Sequence, residues 1–87
     1  MVGYYLNPNE TANRIMRVIS HHEKVSDPES LTLNTQWHEI GLNELDLVEL
    51  FIGIEDEFNI EFPDEVSEKF KDINDAVQYV SRSFWAQ

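Results

Sequence analysis

Cysteine is absent from this 87-residue chain, which excludes disulfides, thiolate metal sites and thiol nucleophiles. Long apolar runs are missing too: none approaches the roughly 20 residues that a helix needs to cross a bilayer, so we expect no membrane span. The first residues, 1–5, show neither a secretory signal nor an arginine-rich transit segment, and we expect such a segment to be absent or already removed. The length predicts one small domain, residues 1–87, with a modest stability margin.

Positive charge is missing from the middle of the chain. Between Lys24 and Lys69 there is no lysine or arginine, and this stretch holds 13 of the 17 acidic residues of a chain whose net charge is −11. Such a surface repels phosphates, so we predict no contact with nucleic acid. It would steer a basic protein partner toward one face. The alternative is a solvated acidic surface that only aids solubility.

Hydroxyl side chains are the third absence. No serine, threonine or tyrosine stands between Thr35 and Ser67. Any chemistry that needs a serine oxygen is therefore excluded from this whole stretch.

The first half of the chain predicts one helix followed by a long loop. Asn7 can cap a helix whose first turn accepts Pro8, and apolar residues then recur at helical spacing until about His21–His22. Residues 23–42 are irregular, with Leu31, Leu33, Trp37 and Ile40 as expected anchors to the core. A loop of this length in a small domain tends to be functional.

The second half predicts three further helices. One runs from Glu44 to Phe58, with Asn43 as its N-cap and Asp46 completing a capping box. The apolar residues expected on its buried stripe are Leu47, Leu50, Phe51, Ile54 and Phe58, and those on a shallower flank are Leu45, Val48 and Ile52.

After an expected loop at residues 60–62, Asp64 is predicted to cap a short helix from Glu65 to about Phe70. The last helix starts near Ile73–Asn74, and its apolar stripe ends at Phe84. The predicted fold is all-α: a small bundle of three longer helices and one short helix, with the long loop between the first and second.

The segment Ile40–Asp46, with the sequence Ile-Gly-Leu-Asn-Glu-Leu-Asp, resembles the prosthetic-group site of acyl carrier proteins, whose pattern is Leu-Gly-x-Asp-Ser-Leu-Asp. The match continues through residues 54–65 and 75–80, and residues 27–37 are similar to the mitochondrial branch. This resemblance implies the acyl-carrier fold and a non-enzymatic protein. The loop before Gly41 is about one residue short against the family's usual spacing.

The resemblance also implies where the family's carrier chemistry fails. Glu44 occupies the position of the serine whose oxygen forms a phosphodiester with 4′-phosphopantetheine. A carboxylate there would form a mixed anhydride that water hydrolyses, and no neighbouring hydroxyl can substitute. We therefore predict no phosphopantetheine and no other cofactor.

Recognition by the second helix is what the resemblance still implies. In the family this helix presents acidic side chains to basic partner surfaces. The matching residues here, with two apolar contacts among them, are Glu44, Leu45, Asp46, Glu49, Ile52, Glu55 and Asp56. The alternative is an ordinary helix exterior, which suits the acids of the first turn but not Glu55 and Asp56 near the C-terminal end.

Glu44 itself has three interpretations: a first-turn acid with no partner, a mimic of the lost phosphate charge, or a catalytic acid. The last has the least support, because no base or metal stands near it in the sequence. His21, His22 and His38 match no common metal spacing, so no metal site is predicted. Trp85 remains a candidate docking residue at the C-terminal end.

The leading hypothesis is a non-catalytic, acyl-carrier-like accessory subunit in the mitochondrial matrix. The resemblance implies a partner of the small, basic, helical LYR-motif type, and respiratory complex I as the assembly. The alternative is a functioning acyl carrier of mitochondrial fatty acid synthesis whose attachment residue lies elsewhere.

Overall fold

The computed structural model describes residues 8–85, with only the backbone of Phe84 and Trp85. Within this range the chain forms four α-helices: α1 (Pro8–Ser20), α2 (Glu44–Phe58), α3 (Asp64–Ser67) and α4 (Ile73–Trp85). The same residues contain no β-strand, only one isolated bridge between Gln36 and Asp72. The predicted all-α bundle of three longer helices and one short helix is confirmed. Asn7 and the side chains of Phe84 and Trp85 lie outside the described residues.

The predicted helix bounds hold best where capping is strong. α2 begins and ends at the predicted residues, and α1 ends at Ser20, just before the predicted His21–His22. The prediction for the short helix was wrong at both ends. Asp64 is its first helical residue rather than its cap, and Pro63 takes the cap position without a side-chain hydrogen bond. Beyond Ser67 the chain continues as turns as far as Phe70.

The core lies where α1, α2 and α4 meet. Its buried apolar residues on these helices are Ile15, Ile19, Leu50, Ile54, Phe58, Ile73, Ala76, Val77 and Val80. The buried stripe predicted for α2 is confirmed at Leu50, Ile54 and Phe58, whereas Leu47 and Phe51 are only half-buried. These two side chains are therefore available to line a surface groove.

The long loop is held to the bundle by two short 3-10 helices and by backbone hydrogen bonds. The 3-10 helices span Pro28–Ser30 and Trp37–Ile40. The amide of Trp37 donates to the carbonyl of Lys71 at 3.3 Å, and the amide of Ile73 donates to the carbonyl of Thr35 at 3.1 Å. These bonds place the second 3-10 helix beside the start of α4 and across from α2.

A glycine allows α1 and α2 to cross closely. A Cβ atom added at Gly53 would lie 3.3 Å from Cγ1 of Val18, tighter than an ordinary van der Waals contact. Glycine in a helix interior costs about 1 kcal/mol relative to alanine. Its presence here is explained by the close approach of the two helices.

Candidate functional site

The N-terminus of α2 is built by a tight local hydrogen-bond pattern. Gly41 takes a left-handed conformation (φ 88°) that ends the second 3-10 helix. The Asn43 side chain accepts from the Asp46 amide at 2.8 Å, and the Asp46 carboxylate accepts from the Asn43 amide at 3.3 Å. The predicted capping box is confirmed, and it fixes Glu44 as an exposed residue at the first position of the helix.

Asp46 does not belong to the exposed face that the sequence suggested. It is 6% exposed, and its two carboxylate oxygens accept from the Lys24 ammonium at 3.1 and 2.9 Å. The hydrogen bond from Lys24 lowers the pKa of the Asp46 carboxyl, and the same contact raises the pKa of Lys24. Its assignment as a partner contact is therefore corrected: Asp46 closes the helix start and binds the loop that follows α1.

Three large apolar side chains stand in solvent along α2. Leu45 is 68% exposed, Val48 50% and Ile52 49%, so the flank predicted to be shallow is largely uncovered. The spacings of three and four residues place them on one side of the helix. Acidic residues of α2 that are also exposed are Glu44, Glu49 and Asp56. We call these six residues the α2 face.

Glu55 differs from the other acids predicted to meet a partner. It is half-exposed, and its carboxylate accepts a hydrogen bond from the backbone amide of Phe62 at 2.6 Å. This bond joins the end of α2 to the loop before α3. The sequence offered no structural reason for an acid so near the helix C-terminus, and this bond supplies one.

A groove opens beside the first half of α2, between that helix, the second 3-10 helix and α3. Its volume is about 620 Å³. Apolar walls come from Trp37, Leu42, Leu47, Phe51 and Phe70, and Glu44 and Val48 of the α2 face also line it. The rings of Trp37 and Phe51 meet edge to face with centroids 5.0 Å apart. The half-buried positions of α2 thus form one wall of this groove.

Two polar groups of the groove escaped the sequence analysis. The indole N–H of Trp37 is buried and has no hydrogen-bond partner among the described residues. Ser67, the first hydroxyl after the gap, lines the same groove as Glu44, and its Oγ donates only to the Asp64 carbonyl at 3.3 Å. Only the fold brings position 67 to the groove lined by position 44, because 23 residues separate them along the chain.

The histidines do not gather into one cluster. His22 lies near Asp46 and Glu49, with ligand atoms within 4.8 Å of one another. The Asp46 oxygens already accept from Lys24, and one ring nitrogen of His22 accepts from the Lys24 amide at 3.2 Å. These bonds account for the proximity of the three side chains without a metal ion.

Comparison with known proteins places the chain in a family. The model of the family described as "Phosphopantetheine attachment site" matches residues 13–80. The mitochondrial acyl carrier protein of Neurospora crassa is 37% identical over 79 residues, which cover 90% of this chain and 59% of that protein. The corresponding protein of Saccharomyces cerevisiae is 34% identical over 80 residues, covering 87% and 64%. An acyl carrier protein of Lactobacillus acidophilus is 37% identical over 76 residues, covering 86% and 94%.

The chain therefore belongs to the acyl carrier protein family, and its relatives place it with the mitochondrial branch. It spans about three-fifths to two-thirds of the length of the mitochondrial relatives it matches. Members of this family are named as carriers, not as catalysts, in agreement with the predicted absence of enzymatic activity. Among the described residues, no helix has the length and apolar character needed to cross a membrane.

The residues present do not fit covalent attachment of phosphopantetheine at the start of α2. A phosphodiester needs a hydroxyl oxygen, and residues 36–66 contain none. Ser67, which lines the groove, lies at the end of α3 rather than at the start of α2. A carrier reaction is accordingly not assigned to this chain through Glu44.

Proposed function

We propose that this protein is a non-catalytic, acyl-carrier-like subunit that docks onto a basic helical partner through the α2 face and carries no phosphopantetheine. The observation that carries the proposal is the pairing of an exposed apolar row, Leu45, Val48 and Ile52, with a carboxylate in place of the attachment hydroxyl at Glu44. A contiguous exposed apolar patch bordered by polar residues is typical of a protein interaction site.

Charge supports the kind of partner. Glu49 and Asp56 border the apolar row, and residues 25–68 contain no lysine or arginine. Complementary charge accelerates association and selects against acidic partners. A helix with apolar residues on one side and Lys or Arg beside them fits this surface.

The resemblance to the mitochondrial branch guides the choice of assembly. We assign the protein to the mitochondrial matrix, with a partner of the LYR-motif type and respiratory complex I as the assembly. The names of the mitochondrial relatives support the compartment. In this proposal Glu44 faces the partner with a negative charge where other carriers hold a phosphate.

The test is purification of the tagged protein with its partners from mitochondria of its source. The variant Glu49→Lys/Asp56→Lys reverses two exposed charges of the α2 face and leaves Glu55, which bonds to the Phe62 amide, in place. We expect it to lose its partner. The matched control, Glu29→Lys/Glu61→Lys, changes the net charge equally at two exposed residues outside α2 and should keep the partner. Equal recovery with both variants would exclude docking by the α2 face.

A second candidate is a functioning acyl carrier of mitochondrial fatty acid synthesis. The names of the relatives and the position of Ser67 on the groove beside Glu44 favour it. Intact mass of the native protein separates the two functions. A mass increase of one phosphopantetheine group would establish the carrier, and peptide mapping would then show whether Ser67 holds it. The unmodified mass is expected.

A further inference from the structure

The groove beside α2 is continuous with the α2 face. Val48 is half exposed on that face and also lines the groove. The groove volume of about 620 Å³ lies within the range of roughly 300–1,000 Å³ that is usual for ligand sites. A helix lying on the α2 face would therefore pass the open side of an apolar recess.

Charge favours a peptide over a free fatty acid as the occupant. Two carboxylates, Glu44 and Glu68, line the groove against one lysine, Lys71. The next acid along α2 on the open surface is Glu49. An anionic head group would be repelled by this surroundings, whereas an apolar side chain flanked by Lys or Arg would be attracted.

The unpartnered donor of Trp37 adds a requirement on the occupant. Trp37 lines the groove, is 5% exposed, and its indole N–H has no hydrogen-bond partner among the described residues. Buried N–H groups in folded proteins are nearly always paired. An occupant that brings an acceptor atom would satisfy this group, which a purely aliphatic chain cannot do.

We propose that the groove receives an aromatic side chain with an acceptor oxygen, a tyrosine, from the basic helix that docks on the α2 face. The partner thus inserts into the carrier-like domain. This inference rests on the proposed function, because it needs a helix on the α2 face, and it adds the residue by which that helix is recognised.

The test uses the full 87-residue chain and synthetic helical peptides of about 18 residues, long enough for several turns. Each peptide carries lysine on one face and leucine on the other, with a single central tyrosine, phenylalanine or alanine on the apolar face. Binding is measured by calorimetry. We expect affinity to fall from tyrosine to phenylalanine to alanine, with at least a tenfold loss from tyrosine to alanine, since buried aromatic anchors dominate such interfaces.

Two readouts locate the tyrosine. The chain has two tryptophans, so the indole N–H signal of Trp37 can be assigned in an NMR spectrum by its loss in Trp37→Phe, and it should shift on adding the tyrosine peptide. Ser67→Met, which fills the groove from α3, should weaken binding of this peptide at least tenfold. Ser26→Met makes the same change at an exposed residue outside the groove and should leave the affinity unchanged.

The outcomes separate the two proposals. If Glu49→Lys/Asp56→Lys weakens the peptide but Ser67→Met and the central residue have no effect, the groove inference fails and docking on the α2 face stands. If no peptide binds, or binding ignores the charge reversal, both proposals fail. If myristate shifts the Trp37 indole signal and the tyrosine peptide does not, the groove is a lipid site and the inference is overturned.

Discussion

The ammonium nitrogen of Lys24 lies 2.9 Å from a carboxylate oxygen of Asp46. The contact joins the last basic residue before the acidic stretch to the third residue of α2. Asp46 also accepts from the Asn43 amide, so one side chain closes the helix cap and holds the loop after α1. An acid that the motif suggests for partner recognition is in this chain part of the framework that orients the α2 face.

This ion pair predicts how stability depends on pH. The hydrogen bond from Lys24 lowers the pKa of Asp46, so its contribution is present above the ordinary value of 3.8 and is lost as pH falls toward the lower, folded-state pKa. The pKa of Lys24 is raised, so its contribution is complete below the ordinary value of 10.5 and is lost as pH rises through the higher, folded-state value. We expect Lys24→Met to flatten both limbs, as measured by urea unfolding at several pH values.

Lys69→Met is the control for that measurement, because Lys69 is exposed and no ion pair of it is found among the described residues. It should leave both limbs as in the unmodified protein. An unchanged acid limb in Lys24→Met would show that Lys24 does not determine the pKa of Asp46.

The crossing of α1 over α2 predicts non-additive effects at Gly53 and Val18. Gly53→Ala gains about 1 kcal/mol of helix propensity, but the new Cβ would lie 3.3 Å from Val18. We expect little net change in the unfolding free energy of the single variant. In a Val18→Ala background the same change should stabilise by about 1 kcal/mol. Equal effects in the two backgrounds, measured by a double-mutant cycle, would show that the two residues do not constrain each other.

Arg14 predicts a stabilising tie between α1 and the C-terminal end of α2. Its guanidinium donates to the Glu57 carboxylate at 2.8 Å and to the Glu57 carbonyl at 2.9 Å, and it lies 4.4 Å from the Phe58 ring centroid. We expect Arg14→Met to lower the unfolding free energy by about 1 kcal/mol, as is usual for partly exposed pairs and cation–π contacts. Arg17→Met, at an exposed residue of the same helix, should change it by less than about 0.5 kcal/mol.

Replacing one residue should restore carrier chemistry. Glu44→Ser places a hydroxyl at the exposed first position of α2, in the position that the family motif gives to its attachment serine. We expect this variant, incubated with coenzyme A and a broad-specificity phosphopantetheinyl transferase, to gain the mass of one phosphopantetheine group. The unmodified chain should gain none.

Glu49→Ser provides the matched control, since it makes the same exchange at another exposed acid of α2. It should remain unmodified. A folded Glu44→Ser variant that is not modified would mean that Asn43, or the shortened loop before Gly41, also prevents recognition by the transferase.

Local physical chemistry explains how much could be predicted from the sequence. The bounds of α2 follow from the Asn43–Asp46 capping box and from apolar spacing, both of which act within a few residues. The start of α3 was predicted less well, because Asp64 is a good cap by residue type but the preceding Pro63 already fixes the entry of the chain. The absence of hydroxyls, and with it the exclusion of the family's attachment chemistry at Glu44, is also a property of sequence alone.

Tertiary structure decided which acids are free and where the groove lies. The sequence presents Asp46, Glu49, Glu55 and Asp56 as equivalent helix acids, but two of them accept hydrogen bonds from Lys24 and Phe62, which lie distant along the chain or beyond the helix. Trp37, Phe51 and Ser67 come to one groove only because the long loop and α3 fold back onto α2. Contacts between separate elements depend on packing geometry, and periodicity within one element carries no information about it.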